Sequence, residues 1–248
     1  YFVNPAGVEN ILSRVTGSDP SDIFGTLGVL GNANLFLLNP NGILFGADAR
    51  LDVTGSFTAT TADAIALGDQ GFFSAVAPAQ SSLLSVSPGA LFFNQTINQG
   101  GTLTSAGQLV AGQNLTLAGD RLNLQGQVQA GRNLTLQARD TVQIRDSALV
   151  PFVAAAGGQM VVQGDRAVDI FALNHPNSGF FSGGDMMLRS ANQVGGDAHY
   201  WSGGNFRIEQ LNGSLGDLYS PYDPVIRVAG DLTFNNYGVF WVCCDKEN

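Results

Sequence analysis

The acidic residues come first, because clustered carboxylates would point to acid–base hydrolysis. Four aspartates of the second half stand singly, and most of them lie beside an arginine: Asp120, Asp140, Asp165 and Asp169. Carboxylates that cleave glycosidic bonds must share one groove, whereas single aspartates at predicted turns are typical of solvated corners. We therefore expect these four side chains to be exposed and without a catalytic role.

The histidines and cysteines form no pattern for a metal site or a nucleophile. His175 and His199 fall in different repeats of a pattern that recurs in the second half of the chain, so they do not make a pair of metal ligands. Cys243 and Cys244 are adjacent, and a disulfide between neighbours is strained. We expect no catalytic site, no metal and no cofactor, and the role of the two cysteines stays open.

Charge and composition argue against two further function classes. The net charge is −9, and the 11 Lys and Arg residues are scattered without a basic cluster, so nucleic acid is not an expected partner. Apolar runs are all much shorter than the roughly 20 residues that span a bilayer, so we expect no membrane insertion. Hydrophobic residues make up 44% of the 248 residues, which is ample for a continuous core.

One short pattern recurs through the second half of the chain. It consists of glycine, any residue, an amide or acid, and then two apolar residues separated by one position. The amide or acid positions, called the marks, are Asn114, Asn133, Gln159, Asp185, Asn205 and Asp231. Successive marks are 19, 26, 26, 20 and 26 residues apart. Short alternating strands with glycine at the corners, repeated at this interval, are typical of one coil of a β-solenoid.

The repeat predicts an all-β fold, a right-handed single-stranded parallel β-helix with an N-terminal cap and short extra-helical β elements. The marks would stack as a ladder at one corner, with hydrogen bonds from coil to coil. Residues 174–181 and 216–224 would form loops, and residues 8–15 are the best candidate for a short helix. One internal column would contain Leu115, Leu134, Met160, Met186, Phe206 and Leu232, and a second Leu117, Leu136, Val162, Leu188, Ile208 and Phe234.

Three blocks in the first part of the chain carry a family resemblance. Residues 11–17, 35–46 and 55–60 resemble, in order and spacing, the two-partner-secretion domain of filamentous-haemagglutinin-type exoproteins, especially those of cyanobacteria. The family's signature motif is matched by Asn39, Pro40, Asn41, Gly42 and Ile43. The close resemblance covers residues 1–105, which we interpret as the secretion-signal region without the family's first residues. Residues 106–248 would continue the coils of the same structural domain.

The resemblance implies export rather than catalysis. Proteins of this family pass through the periplasm to the surface or exterior of a Gram-negative-type bacterium. The domain is recognised by periplasmic POTRA domains of a partner outer-membrane β-barrel transporter, and it then templates further coils. Pro40, Asn41 and Gly42 suit a tight turn, which is either only structural or also needed for export, as a contact or by fixing the fold. We expect a monomer that is not an enzyme.

Two other functions stay open at this point. The first is a carbohydrate- or host-binding adhesin face, which would expose at least two aromatic residues together. The candidates for this face are Tyr200, Trp201, Tyr219, Tyr222 and Trp241. The second is a polysaccharide-degrading β-helix enzyme, which would need several acids in one groove within about 10 Å of each other.

Overall fold

The computed structural model describes residues 1–3, 6–69, 71–81, 88–93, 100–222 and 224–238. The candidate residues Trp241, Cys243 and Cys244 lie outside these ranges, as does part of the segment that precedes Gly100. Within them the regular structure consists of β-strands and one 3-10 turn, Pro78–Gln80. The all-β prediction is therefore confirmed.

Short strands follow one another along the whole described chain. Up to residue 92 they are β1 (Phe2–Val3), β2 (Asn10–Arg14), β3 (Ser21–Ile23), β4 (Thr26–Leu30), β5 (Asn34–Leu38), β6 (Ile43–Phe45), β7 (Arg50–Asp52), β8 (Phe57–Thr60), β9 (Ala64–Leu67), β10 (Phe72–Ser74) and β11 (Pro88–Phe92). From residue 102 they are β12 (Thr102–Ser105), β13 (Gln108–Ala111), β14 (Leu115–Leu124), β15 (Gln127–Ala130), β16 (Leu134–Arg145), β17 (Val153–Ala156), β18 (Met160–Gly164), β19 (Ala167–Ala172), β20 (Gly179–Ser182), β21 (Met186–Ser190), β22 (Val194–Ala198), β23 (Tyr200–Ser202), β24 (Phe206–Glu209), β25 (Leu218–Tyr219), β26 (Ile226–Val228), β27 (Leu232–Thr233) and β28 (Tyr237–Gly238).

The strands stack into a β-solenoid with three faces, each made of parallel neighbours. The first face is a nine-stranded sheet in the order β1-β4-β7-β13-β15-β17-β20-β23-β26. The second face runs β2-β5-β8-β14-β16-β18-β21-β24-β27, and the third runs β3-β6-β12-β14-β16-β19-β22-β25-β28. The long strands β14 and β16 contribute to both of the latter faces. The described residues therefore wind through nine coils, and the parallel β-helix prediction is confirmed.

The predicted internal columns are present. Leu115, Leu134 and Met160 pair in register, and the column continues through Met186 and Phe206. These five side chains are at most 1% exposed. The sixth predicted member, Leu232, pairs with Phe206 but is 46% exposed, so the prediction that it is internal was wrong. It lies on β27, and among the described residues no further strand stacks on β27. The second column is also in register as far as its fifth member, and its last residue packs against the core beyond the end of β27; its members are Leu117, Leu136, Val162, Leu188, Ile208 and Phe234. Stacked aliphatic side chains thus form a continuous core along the coil axis.

Three local predictions were wrong. The helix predicted for residues 8–15 is instead strand β2, whose residues pair with all five residues of β5; pairing within the sheet overrides a weak local helix preference. The first predicted loop ends before Gly179, because β20 brings Phe180 into the core at 0% exposure. The second predicted loop is interrupted by β25, which pairs with β22 on the third face.

An antiparallel three-stranded sheet in the order β10-β9-β11 leaves the solenoid between β8 and β12. We call it the excursion sheet. Beneath it is a small second core in which Leu38 and Ile65 are fully buried. The guanidinium of Arg14, on β2, fastens the sheet to the coils: its Nη1 donates to the Ser74 carbonyl at 2.7 Å, and it lies 4.4 Å from the centre of the Phe73 ring. These are the extra-helical β elements expected from the sequence.

Candidate functional site

The signature motif forms the corner between β5 and β6 in the second coil. Asn39 is fully buried, and Pro40, Gly42 and Ile43 are buried as well. Asn41 is the only exposed residue of the five. The motif is therefore directed into the molecule, with one side chain left at the surface.

The Asn39 side chain joins the first coil to the second. Its Nδ2 donates to the Asp19 carbonyl at 3.1 Å and to the Ser21 Oγ at 2.9 Å. Its Oδ1 accepts the Asn41 backbone N–H at 3.0 Å. The Asn39 backbone N–H also donates to the Thr60 carbonyl in the third coil at 3.0 Å. One buried residue thus connects three successive coils, and its amide is satisfied on both sides.

The turn leaves no room for side chains at two glycines. The Gly42 N–H donates to the Asn39 carbonyl at 3.2 Å and closes the turn, with φ of +123° at Gly42, a conformation that favours glycine. A Cβ on Gly101 would lie 2.4 Å from the Gly42 nitrogen and 2.5 Å from the Pro40 carbonyl oxygen. The chain returning from the excursion sheet therefore packs directly on the turn. In the sequence, the only signal for this role of Gly101 is its place in a glycine pair.

The three blocks that carry the family resemblance meet in space. Ile11 pairs with Leu35, and Leu35 pairs with Phe57, so the blocks supply neighbouring strands of the second face. The side chain of Asn41 adds a link, because its Nδ2 donates to the carbonyl of Gly17, the last residue of the first block, at 2.8 Å. The blocks together build one structural unit, the first three coils and their signature turn.

The marks stack at the corner between the first and second faces. Their side-chain oxygens accept the backbone N–H of the next mark at 2.7–3.1 Å in four of the five steps. Within the described residues, the step from Gln159 to Asp185 has no such bond. The ladder also extends upstream, where the Ser56 N–H donates to the Asn34 Oδ1 at 2.8 Å and the Asn114 N–H donates to the Ser56 Oγ at 3.3 Å. Asn34 could have been found from the apolar-x-apolar residues that follow it.

The prediction that the four aspartates are exposed was wrong for two of them. Asp120 is 1% exposed and Asp140 is 3% exposed. Arg121 contacts the Asp140 carboxylate at 2.7 Å, and Arg166 contacts its other oxygen. Arg139 lies 3.1 Å from Asp120. The two aspartates lie near the corner between the second and third faces, where the winding buries the side chains and the arginines of neighbouring coils balance the charge. Asp165 is half-buried, and Asp169 is partly exposed and paired with Arg145 at 2.5 Å.

Burial and ion pairing shift three carboxyl pKa values in different directions. Hydrogen bonds from Arg166 and Arg121 hold the pKa of Asp140 below its ordinary value. Burial raises the pKa of Asp120, and Arg139 offsets this only in part. Burial also opposes ionisation of Glu209, but the contacts from Arg189 and Arg207 bring its pKa below the ordinary value. These acids serve as internal ion pairs rather than as an open acid–base pair.

The aromatic candidates are dispersed among different environments. Tyr200 is fully buried, and its hydroxyl donates to the Gly196 carbonyl at 3.1 Å; burial raises its pKa. Tyr222 is 63% exposed and packs edge-on against Phe171. Trp201 projects from the first face and stacks on Phe181, with ring centres 4.6 Å apart and an interplanar angle of 5°. Of this pair Phe181 is exposed and Trp201 is half-buried. Phe181 was predicted to lie in a loop.

The part of the chain that the structure describes has no group of three or more His, Cys, Asp or Glu side chains that could hold a metal ion. In the same residues, no helix has the length and apolar character needed to cross a membrane.

Comparison with known proteins gives one family. The model of the TPS secretion domain matches residues 1–208. The match includes the signature turn and continues through the ladder corner as far as β24. No curated protein matches the chain significantly.

Proposed function

The chain belongs to the family of TPS secretion domains, and on this premise we propose that its first coils are read by the periplasmic POTRA domains of a partner transporter. Membership itself implies the secretion-signal role, an exported protein and a separate outer-membrane transporter. The finer proposal is that residues 1–105 are the segment recognised, that the chain folds after crossing the transporter barrel, and that its coils template those that follow. The final location is the surface or exterior of a Gram-negative-type bacterium, as for filamentous-haemagglutinin-type exoproteins.

The observation that carries the proposal is the burial of the signature motif. Asn39, Pro40, Gly42 and Ile43 are buried in the folded domain, and only Asn41 is exposed. A folded domain therefore cannot offer the motif as a continuous contact. We propose that the motif acts through folding: it fastens the first three coils together once the chain has crossed, whereas the transporter engages the segment while it is still unfolded.

The ladder of marks has a structural role in this proposal. Its hydrogen bonds run from the side chain of one mark to the backbone N–H of the next, so they join successive coils after the chain has folded.

The proposal includes no catalytic activity for this chain, and it treats the chain as a monomer. Asp120 and Asp140, which a hydrolase would need in an open groove, are buried against arginines. Their charges are therefore used within the coil. The alternative of a glycan-binding face rests on different residues, which lie on the first face of the later coils.

The test compares Asn39→Ala with Asn41→Ala in cells that contain the partner transporter. Asn39→Ala leaves buried groups unpaired, and we expect it to lower the free energy of unfolding by about 3 kcal/mol and to reduce the protein found outside the cell at least several-fold. Asn41→Ala removes exposed hydrogen bonds, and we expect it to change stability by about 1 kcal/mol or less and export by less than about twofold.

Asn212→Ala is the matched control, because Asn212 precedes a glycine with positive φ in a turn outside the family match. We expect it to be exported normally. Wild-type export of Asn39→Ala would refute the need for the motif. Loss of export in a stably folded Asn41→Ala would show that the turn is a direct contact instead of a folding device.

A further inference from the structure

An open groove lies beside the aromatic pair on the first face, in coils six to nine. It has a volume of about 660 Å³ and is bordered by Phe181, Trp201 and Arg227. The corner glycines Gly183 and Gly203 line its other side. This volume lies within the range of about 300–1,000 Å³ that small-molecule sites occupy. The groove is therefore large enough for one or two sugar rings, and it lies away from the signature turn.

The aromatic pair is held rigidly in place. The rings of Phe181 and Trp201 are stacked at 4.6 Å, and the edge of His199 packs against Trp201 at 5.8 Å. A Cβ on Gly179 would lie 2.6 Å from the Trp201 ring, so the missing side chain at this position lets the ring lie close to the sheet. A preorganised aromatic surface loses little conformational entropy when it binds a ligand.

Charge on this face identifies the ligand class. The first-face strands β13, β15, β17, β20 and β23 contain no charged residue. Arg227 follows in β26 as the exposed register partner of Trp201, and no ion pair among the described residues includes it. An apolar ring surface next to one uncompensated guanidinium fits a ligand with an apolar ring face and a single carboxylate.

We infer that this groove binds a glycan that carries separate carboxylates, of the hexuronate type. The C–H face of a sugar ring would pack on Trp201 or Phe181, and the sugar carboxylate would accept the two parallel hydrogen bonds that a guanidinium offers. The net charge of −9 disfavours densely charged polyanions, because long-range repulsion acts on every added charge. Carboxylates separated by neutral sugars avoid most of this repulsion while still meeting Arg227.

The experiment is a calorimetric titration of the purified 248-residue chain, which needs no transporter and is therefore independent of the export proposal. The probe is a hyaluronan octasaccharide, in which glucuronate alternates with a neutral sugar, and the matched ligand is the same oligosaccharide with its carboxylates reduced to alcohols. We expect the reduced form to bind about tenfold more weakly, the value of one charge-assisted contact. The affinity for the acidic form falls as salt is raised.

The variants test the site itself. We expect Arg227→Gln and Trp201→Ala each to weaken binding of the acidic probe about tenfold, and Arg227→Lys to weaken it less, because lysine keeps the charge but not the planar fork. Tyr222→Ala removes an exposed aromatic on another face, and Arg132→Gln removes an exposed arginine at a corner; both should bind like the wild type. Far-ultraviolet circular dichroism of each variant checks that the coil is intact.

Three results would overturn the inference. They are absence of binding by the wild-type chain, equal binding of the acidic and reduced probes, and unchanged affinity in both folded variants, Arg227→Gln and Trp201→Ala.

Discussion

The first three coils and the coils from β13 onward have the same three faces, but different groups hold their corners. In the first three coils the corner at Asn39 depends on one residue, whose side-chain amide joins the first coil to the second and whose backbone N–H reaches the third. The excursion sheet packs over the second face there. In the later coils a glycine and a mark recur at one corner, and four of the five steps between marks have the same side-chain bond. The early coils are specified by individual residues, and the later coils by repetition.

This difference explains why the two regions resist change differently. In the repeated region any single contact has copies in the coils above and below it, so losing one side-chain hydrogen bond has a small effect on stability. A clash between backbones has a large effect there, because it prevents neighbouring coils from stacking. In the first three coils there is one signature turn, and Asn39 has no copy among the described residues that could replace it. Contacts that have no copy elsewhere are thus concentrated in the first three coils, as expected of a segment that must fold before further coils can stack on it.

The largest change in stability is expected when a side chain is added at a corner glycine of the repeated region. A Cβ on Gly131 would lie 2.1 Å from the Gly112 carbonyl oxygen. We expect Gly131→Ala to lower the free energy of unfolding by about 3 kcal/mol, because neither backbone can move without parting two coils. Urea denaturation measures this change. Gly195→Ala is the control, since its Cβ would meet its nearest atom at 3.6 Å, and equal losses in the two variants would contradict the stacking argument.

The buried acids with shifted pKa values provide the next largest contrast, because Asp120, Asp140 and Glu209 all lie in the later coils. We expect Asp140→Asn to lower the free energy of unfolding at pH 7 by about 2 kcal/mol, since it removes the negative charge that both Arg121 and Arg166 contact. Asp120→Asn should cost less or stabilise the protein, because burial already disfavours its ionised form and raises its pKa. Chemical denaturation of both variants at pH 7 decides the order, and the opposite order would contradict these roles.

The pKa directions also predict how stability depends on pH. Asp140 and Glu209 have lowered pKa values in the folded chain, so their contributions are present above the unfolded pKa of about 4 and are lost as pH falls through the folded values. Hydrogen exchange at decreasing pH should therefore show β16 and β24 opening before β5. In Asp140→Asn the acid-induced loss at β16 should be smaller than in the wild type. Simultaneous opening of β5 and β16 would remove the contrast between the two regions.

The smallest expected effect concerns the ladder. The Asn133 Oδ1 accepts the Gln159 N–H at 2.9 Å, and we expect Asn133→Ala to lower the free energy of unfolding by about 1 kcal/mol. Gln159→Ala is the control within the same ladder, because the Gln159 side chain makes no ladder bond in the described residues. Its expected change is close to zero. Thermal unfolding of the two variants separates them, and an equal loss would show that the marks act by solvation or packing instead of by these bonds.

The sequence predicted the repeated region better than the first three coils, for a physical reason. Apolar and polar residues alternate regularly around Leu134 and Met160, so the sequence itself shows which side chains of each strand are buried. The internal columns therefore follow from the spacing. The excursion sheet has no such period, because all four residues of its central strand β9 are buried, so apolar side chains do not alternate with polar ones. Burial of Asp120 and Asp140 could not be foreseen, since it depends on arginines that reach across from adjacent coils.

The excursion sheet also changes the order in which contacts can form. The bond between Asn114 and Ser56 joins residues 58 apart in sequence, whereas later steps of the ladder join residues 19 to 26 apart. Closing a loop of roughly twice the length costs about 0.6 kcal/mol more in chain entropy, and contacts of long sequence separation form slowly. A chain emerging from a pore from residue 1 onward would complete its first coils, wait until the whole excursion had passed, and then add each further coil after about two dozen residues. On the proposal that the chain folds as it leaves the transporter, the excursion would therefore act as a delay between starting the coil and extending it.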